Sequence, residues 1–193
     1  YQPNAPHTDV QLGNINVNGS NNYGFRMRYY PNSSYYDLTN VSGANGIIKV
    51  GGNNNIGIYA KGASTVNFDG ITKITGGEGQ KIALATEGST INLKRAVTAG
   101  DKATNNFVKD AVPLYAAGVG SKINVVTPDS LKFYLGGNST AVYAKDKGKI
   151  NMNRTTLPNE PTIHIKGENG KGIGLFAKDG GVINAQKHYI KVE

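Results

Sequence analysis

The 193-residue chain has no cysteine, no tryptophan, 26 glycines and a net charge of +8. The lack of cysteine excludes a disulfide framework and a zinc site built on thiolates. No stretch approaches the 18 consecutive apolar residues of a membrane-spanning helix. The basic residues are dispersed along the chain. Such a distribution serves solubility and protects strand edges, or it attracts acidic surfaces such as anionic glycans or nucleic acid.

The first predicted strand covers residues 15–17, and an irregular insertion is predicted at 26–46. Between residues 26 and 37 the insertion places four tyrosines beside two of the chain's four arginines. Tyrosine and arginine are enriched at interface hot spots, and loops on rigid scaffolds carry recognition. The sequence therefore predicts a partner-binding loop, with a loop that only caps or packs against the scaffold as the alternative. The candidate binding residues are Arg26, Arg28, Tyr29, Tyr30, Tyr35 and Tyr36.

A short phrase recurs from residue 58 onward. It begins as Ile-Tyr-Ala-Lys at 58–61 and is followed each time by an apolar-Asn pair such as Val66-Asn67. Its second position is occupied in turn by Tyr59, Leu84, Tyr115, Tyr143 and Phe176. Short strand-like segments and Gly/Asn-rich turns that repeat about every 29 residues are typical of a solenoid. We therefore predict an all-β fold, a right-handed parallel β-helix of about six to seven coils, forming one unit over residues 1–193. A sandwich also has frequent turns, but it does not repeat its sequence at this period.

Within each phrase apolar residues alternate with others, so Ile58 and Ala60 are expected inside while Tyr59 and Lys61 face out. The outward ring positions should stack from coil to coil into a ladder. This ladder either stabilises the sheet through pairs on neighbouring strands or forms a flat docking surface for sugar rings or a protein. Its candidate binding residues are Tyr59, Tyr115, Tyr143 and Phe176.

A third strand per coil is predicted at residues 48–50, 133–135 and 163–165. Further insertions are predicted at 94–112 and 154–162, and the best helical candidate in the chain is 101–111. The sequence ends in a strand-like stretch and begins without methionine, so we expect it to be an excerpt of a longer array.

No pattern for catalysis or metal binding is found. The glycine-rich strings at 51–56 and 76–81 have Ile56 and Lys81 where a calcium-binding nonapeptide needs a carboxylate. Glu87, Asp146 and Asp179 are expected in equivalent turns, where adjacent lysines neutralise them; a catalytic pair of carboxylates is the alternative. The histidines His7, His164 and His188 are interpreted as surface residues. We predict no cofactor, no metal and no catalytic residue.

Two stretches, residues 55–67 and 172–184, carry the phrase Ile-Gly-x-aromatic-Ala-Lys followed by Val-Asn or Ile-Asn. They resemble the passenger region of type V autotransporter adhesins, above all the large fusobacterial ones. Over residues 13–193 the similarity lies in the pattern of the repeat. It implies a β-helical stalk at the cell surface, anchored in the outer membrane by a C-terminal barrel outside this sequence. It also implies adhesion to host cells or other bacteria.

The sequence thus predicts a non-enzymatic, monomeric section of a bacterial surface adhesin. Its partner would be a protein or glycan on a host or bacterial surface, with no specific nucleic acid. The alternatives are a β-helix enzyme that binds or cleaves polysaccharides, and a spacer without a ligand.

Overall fold

The computed structural model describes residues 8–9, 13–28, 40–44, 46–167 and 171–193. The fold is a parallel β-solenoid with three sheets. Sheet A contains, in spatial order, β1 (Thr8–Asp9), β4 (Asn40–Ala44), β7 (Thr65–Phe68), β10 (Thr90–Leu93), β14 (Lys122–Val125), β17 (Lys149–Asn151) and β20 (Val182–Asn184). Sheet B contains β2 (Ile15–Val17), β5 (Ile47–Val50), β8 (Ile71–Ile74), β11 (Val97–Ala99), β15 (Leu131–Gly137), β18 (Ile163–Gly167) and β21 (Ile190–Val192), with the short β12 (Val108–Lys109) pairing with β15. Sheet C contains β3 (Tyr23–Arg28), β6 (Ile56–Lys61), β9 (Lys81–Thr86), β13 (Leu114–Ala117), β16 (Thr140–Lys145) and β19 (Ile173–Ala177).

In each turn of the solenoid the chain passes from sheet A to sheet B to sheet C. Every strand then pairs in parallel with its counterpart one turn later, as in the register of Tyr115 with Tyr143. The solenoid makes about five turns, fewer than the six to seven predicted. Within the described residues the six strands of sheet C are joined by five turns, because the described residues before β3 and after β19 contribute strands to sheets A and B only. In sheet C, which has six strands, successive turns separate Arg26 from Tyr59 by 33 residues and Tyr59 from Leu84 by 25.

The core is a column of apolar side chains enclosed by the three sheets. The small inward alanines of sheet C, including Ala60, Ala85 and Ala116, are 0% exposed, as predicted. They face larger side chains of the other sheets, among them the fully buried Phe68 and Phe133. The alternation read from the sequence is confirmed in β6, β9, β13 and β16. It is wrong for the burial of β19, where the expected inward residues Leu175 and Ala177 are exposed.

Polar side chains fill the corners of the coil. Asn55 is buried, accepts a hydrogen bond from the Asn22 backbone N–H (2.7 Å) and donates to the Gly19 carbonyl (3.0 Å). At the other corner, the buried Ser89 hydroxyl donates to the Ala60 carbonyl (2.7 Å). These side chains satisfy backbone groups that leave the ladder where the chain turns, and an unpaired buried group there would be costly.

The outward face of sheet A carries a ladder of asparagine amides. Each Nδ2 donates to the Oδ1 of the asparagine one turn earlier, and all four hydrogen bonds measure 2.7 Å. The members of this amide ladder are Asn67, Asn92, Asn124, Asn151 and Asn184. The asparagine that recurs after each repeated segment therefore joins one coil to the next by a hydrogen bond.

Glycine-rich strings form the turns between sheets B and C, as predicted. Gly77 has a φ of +87°, and a Cβ placed on it would overlap the Gly52 carbonyl oxygen. Both the left-handed backbone and the close approach of the turns require glycine here.

The predicted insertions are shorter than expected. Residues 26–28 end β3, where Met27 is buried and pairs in register with Ala60 between the outward Arg26 and Arg28. The two outward arginines thus belong to a strand and not to an insertion. Residues 97–99 likewise form β11 within the predicted insertion at 94–112. Residues 154–162 contain no strand or helix, as predicted.

The predicted helix at 101–111 is wrong. Residues 101–106 form an excursion closed by paired backbone hydrogen bonds of 2.9 Å between Asp101 and Asn106, and the chain then rejoins sheet B as β12. Positive φ values at Gly100, Asn105 and Asp110 are incompatible with a helix. Among the described residues the one helical segment is a 3₁₀ turn at Pro128–Ser130.

Candidate functional site

The outward face of sheet C carries a continuous column of side chains, here called the aromatic column. Neighbouring members pair in register from β3 to β19. The column contains Arg26, Tyr59, Leu84, Tyr115, Tyr143 and Phe176. The structure thus brings together the four predicted ring positions and adds Arg26 to them.

The rings of the column stack on one another. Tyr115 and Tyr143 are 4.9 Å apart between centroids with an interplanar angle of 4°, and Tyr143 and Phe176 are 4.9 Å apart at 25°. Coplanar rings would collide at this separation, so the parallel rings must overlap face to face. Tyr143 therefore has a neighbour against each face and offers its edge and hydroxyl outward. This geometry fits sheet stabilisation better than a platform on which sugar rings lie flat.

A second stack lies at the other end of the column. Tyr23 and Tyr59 are stacked at 5.5 Å, and the Arg26 guanidinium lies 5.2 Å from the Tyr23 ring centroid and 5.6 Å from that of Tyr59. Tyr23 is 45% exposed, and both Arg26 and Arg28 are exposed. We call Tyr23, Arg26, Arg28 and Tyr59 the Arg–Tyr cluster. Its residues lie on the neighbouring strands β3 and β6, and Tyr23 was not among the residues predicted from the sequence.

The remaining predicted binding residues, Tyr29, Tyr30, Tyr35 and Tyr36, lie outside the described residues. They directly follow β3 in the chain, which ends at Arg28. Arg26 and Arg28 are therefore the described part of the predicted binding segment.

A basic column runs beside the aromatic column, two residues further along each strand. It contains Arg28, Lys61, Thr86, Ala117, Lys145 and Lys178. Its lysines pair with carboxylates of the adjoining turns: Lys61 with Glu87 (2.8 Å), Lys145 with Asp146 (3.2 Å) and Lys178 with Asp179 (3.6 Å). The predicted neutralisation of these turn carboxylates by lysines is confirmed.

Two titratable groups connect the columns. The hydrogen bond to Asp146 raises the pKa of Lys145, and partial burial raises the pKa of Tyr115. At neutral pH the ammonium is therefore charged and the phenol is protonated. The face displays hydroxyl donors and compensated ion pairs, a surface suited to recognition by hydrogen bonds.

Two histidines interpreted as surface residues are partly or largely buried. His164 is 8% exposed, packs edge to face against Phe107 (5.3 Å) and lies 3.2 Å from a Glu193 carboxylate oxygen. The ring nitrogens of His188 contact the Thr162 hydroxyl (2.9 Å) and the Met152 carbonyl. Burial lowers the pKa of His188. Both histidines pack between elements that are distant in sequence. The alternation of apolar residues within one strand therefore could not predict their burial.

Within the described ranges, no three His, Asp or Glu side chains lie close enough together to hold a metal ion. The same ranges contain no helix with the length and apolarity to cross a bilayer. Comparison of the chain with family models, curated proteins and solved structures finds no match.

Completing the aromatic column should stabilise the fold. Leu84 occupies the one gap between Tyr59 and Tyr115, and a tyrosine there could stack on both. Leu84→Tyr should raise the free energy of unfolding by about 0.5–1.5 kcal/mol, measured by urea denaturation. Thr86→Tyr, on the same strand but in the basic column, is the matched control and should give a smaller gain. An equal gain from both variants would mean that stacking in the column contributes nothing special.

Proposed function

We propose that the chain is a non-enzymatic section of a bacterial cell-surface adhesin of the autotransporter class. In this proposal it is exported to the cell surface and attaches to a protein or glycan on a host cell or another bacterium. The solenoid is right-handed, as crossovers between parallel strands almost always are. It serves as a rod that holds the attachment surface away from the membrane.

The observation that carries the proposal is the Arg–Tyr cluster on sheet C. Tyrosine and arginine dominate interface hot spots because they combine large contact area with directed hydrogen bonding. Here Arg26 is held over two stacked rings, Tyr23 and Tyr59, so little side-chain entropy remains to be lost when a partner binds. The four further tyrosines that follow β3 extend the same composition.

The ion pairs of sheet C support a binding role rather than catalysis. A general acid or base needs a carboxylate or histidine whose proton is free to move. The aligned carboxylates Glu87, Asp146 and Asp179 are each paired with a lysine.

The proposal is tested by attachment of cells to the immobilised 193-residue chain. Epithelial cells and bacteria are counted on the native chain and on a variant with Arg26, Arg28, Tyr29, Tyr30, Tyr35 and Tyr36 all replaced by serine. We expect attachment to the native chain and a loss of roughly tenfold or more in the variant, equivalent to about 1.4 kcal/mol. Lys122→Ser with Lys149→Ser on sheet A removes the same charge and should leave attachment unchanged. A smaller variant, Arg28→Ser alone, spares the stacked rings and should still weaken attachment.

The alternatives give different results. A spacer would bind cells no better than an unrelated protein, and a polysaccharide-cleaving enzyme would shorten a glycan substrate. Unchanged attachment of the six-residue variant, with the fold verified by circular dichroism, would remove the Arg–Tyr cluster as the site.

A further inference from the structure

We propose that the outward face of sheet B binds a linear acidic polysaccharide along a column of unpaired lysines. The column consists of Lys49, Lys73, Thr98 and Lys132, which pair in register on four successive strands, β5, β8, β11 and β15. We call it the sheet B lysine column. It lies on a different sheet from the attachment surface proposed above, so the two can be tested separately.

The lysines of this column differ from Lys61, Lys145 and Lys178 of the basic column in having no carboxylate partner. No ion pair or hydrogen bond in the described chain involves the ammonium groups of Lys49, Lys73 or Lys132. Lys49 and Lys73 are exposed and lie directly opposite each other on neighbouring strands. Like charges in this position destabilise a sheet, and a bound polyanion would relieve the repulsion.

The column lies between two flanking features, and the strip of sheet B between them is here called the trough. On one side lie Ile47 and the 38% exposed Ile71, next to a concavity of about 300 Å³ that includes Gly46 and Arg95. On the other side the 101–106 excursion is fixed by the Asn106 side-chain amide, which donates to the Thr75 carbonyl (3.0 Å). An extended chain can therefore lie along the solenoid axis between the apolar edge and the 101–106 excursion.

Asp69, the carboxylate beside this apolar edge, is already compensated. Its oxygens lie 3.6 Å from the Lys94 ammonium and 3.7 Å from the Arg95 guanidinium. The positive potential of the lysine column is thus left to attract an anion from outside.

These features favour an acidic polysaccharide over a nucleic acid. Rungs follow at about 4.8 Å, close to the advance of one sugar in an extended glycan, and the apolar faces of sugar rings suit the isoleucines of the trough. Sites for single-stranded nucleic acid also need aromatic platforms on which bases stack. The nearest rings, Phe107 and Tyr134, pack edge to face against each other at 6.1 Å and against His164, so they provide no free platform.

The test measures binding of heparin, polygalacturonate, neutral dextran and a single-stranded oligothymidylate to the 193-residue chain, at low and at physiological salt. We expect heparin or polygalacturonate to bind, dextran not to bind, and the oligothymidylate to bind at least tenfold more weakly. The triple variant Lys49→Gln, Lys73→Gln, Lys132→Gln should lose at least tenfold in affinity for the acidic glycan. The control Lys122→Gln, Lys147→Gln, Lys149→Gln removes the same charge from sheet A and a neighbouring turn, and should lose less than about twofold, since charges on another face are screened.

A gain of affinity provides an independent check that does not depend on damaging the protein. Thr98→Lys fills the gap in the column and should strengthen glycan binding about threefold or more, whereas Thr90→Lys, in the corresponding outward position of sheet A, should not. Equal losses from the two triple variants would show unspecific attraction to the net charge and overturn the proposal. So would equal or tighter binding of the oligothymidylate. Failure of glycan binding would leave the attachment assay of the Arg–Tyr cluster unaffected.

Discussion

Replacement of Phe133 by alanine is expected to lower the free energy of unfolding by about 3–5 kcal/mol. Phe133 lies on β15, is 0% exposed, and pairs in register with Ala99 below and Ile163 above. The ring fills the space that the small Ala99 leaves in the preceding coil. Its removal opens a cavity that rigid backbone ladders on three sides cannot close.

The matched control for this prediction is Lys132→Ala, the preceding residue on the same strand, whose side chain faces out. Its effect on stability should be below about 0.5 kcal/mol. Guanidinium denaturation of both variants, followed by circular dichroism, gives the comparison. Similar small losses in both would mean that Phe133 is not enclosed by the coil.

The second large effect is expected at the centre of the amide ladder. Asn124 donates to Asn92 and accepts from Asn151, both at 2.7 Å. Asn124→Ala removes both bonds and leaves a half-buried donor and acceptor without partners, which should cost about 2 kcal/mol.

Asn184 provides the internal control because it makes one bond of the ladder, to Asn151. Asn184→Ala should therefore cost about half as much, near 1 kcal/mol, when measured by the same denaturation. Because Asn124 and Asn184 both bond to Asn151, the losses at the two positions should not simply add in the double variant. A larger loss at Asn184 than at Asn124 would contradict the ladder as a chain of equivalent bonds.

The features of the fold that depend on alternation and on the repeat could be predicted from the sequence. The inward Ile58 and Ala60, the outward Tyr59 and the alignment of Tyr115 over Tyr143 all follow from period two within a strand and identity between coils. The third strands at 48–50, 133–135 and 163–165 were found in the same way, and each lies in sheet B.

The errors fall where local pattern and long-range contact disagree. The predicted insertion includes Arg26 and Arg28, yet their alternation with Met27 is what a strand with one inward methionine requires. The 101–111 stretch has helix-compatible composition, but left-handed residues at its ends send it out of the sheet and back. The burial of His164 by Phe107 depends on a packing contact between residues 57 positions apart, which no local window contains.

The candidate site was predictable in its residue types but not in its geometry. The sequence predicts that the rings of sheet C stack, whereas the exposed face of each ring depends on the tilt that the coil imposes. In the structure the inner rings cover one another, whereas Arg26 and Tyr23 of the Arg–Tyr cluster are exposed. The proposed recognition is therefore placed at the Arg–Tyr cluster. The lysines of the sheet B lysine column and those of the basic column look alike in sequence, and they differ in whether a turn carboxylate lies within reach.

The most direct test of the whole account is disulfide formation between residues placed on adjacent rungs, in a chain that has no cysteine of its own. Thr90 and Lys122 pair in register on neighbouring strands of sheet A, and Lys149 lies one rung further. Neighbouring rungs are about 4.8 Å apart, within the Cα separation that a disulfide spans, whereas two rungs, at about 10 Å, exceed it. After mild oxidation, Thr90→Cys with Lys122→Cys should cross-link within the monomer, and Thr90→Cys with Lys149→Cys should keep free thiols. Free thiols in the first pair, or an equally rapid bond in the second, would contradict a parallel stack in which equivalent residues lie one above another.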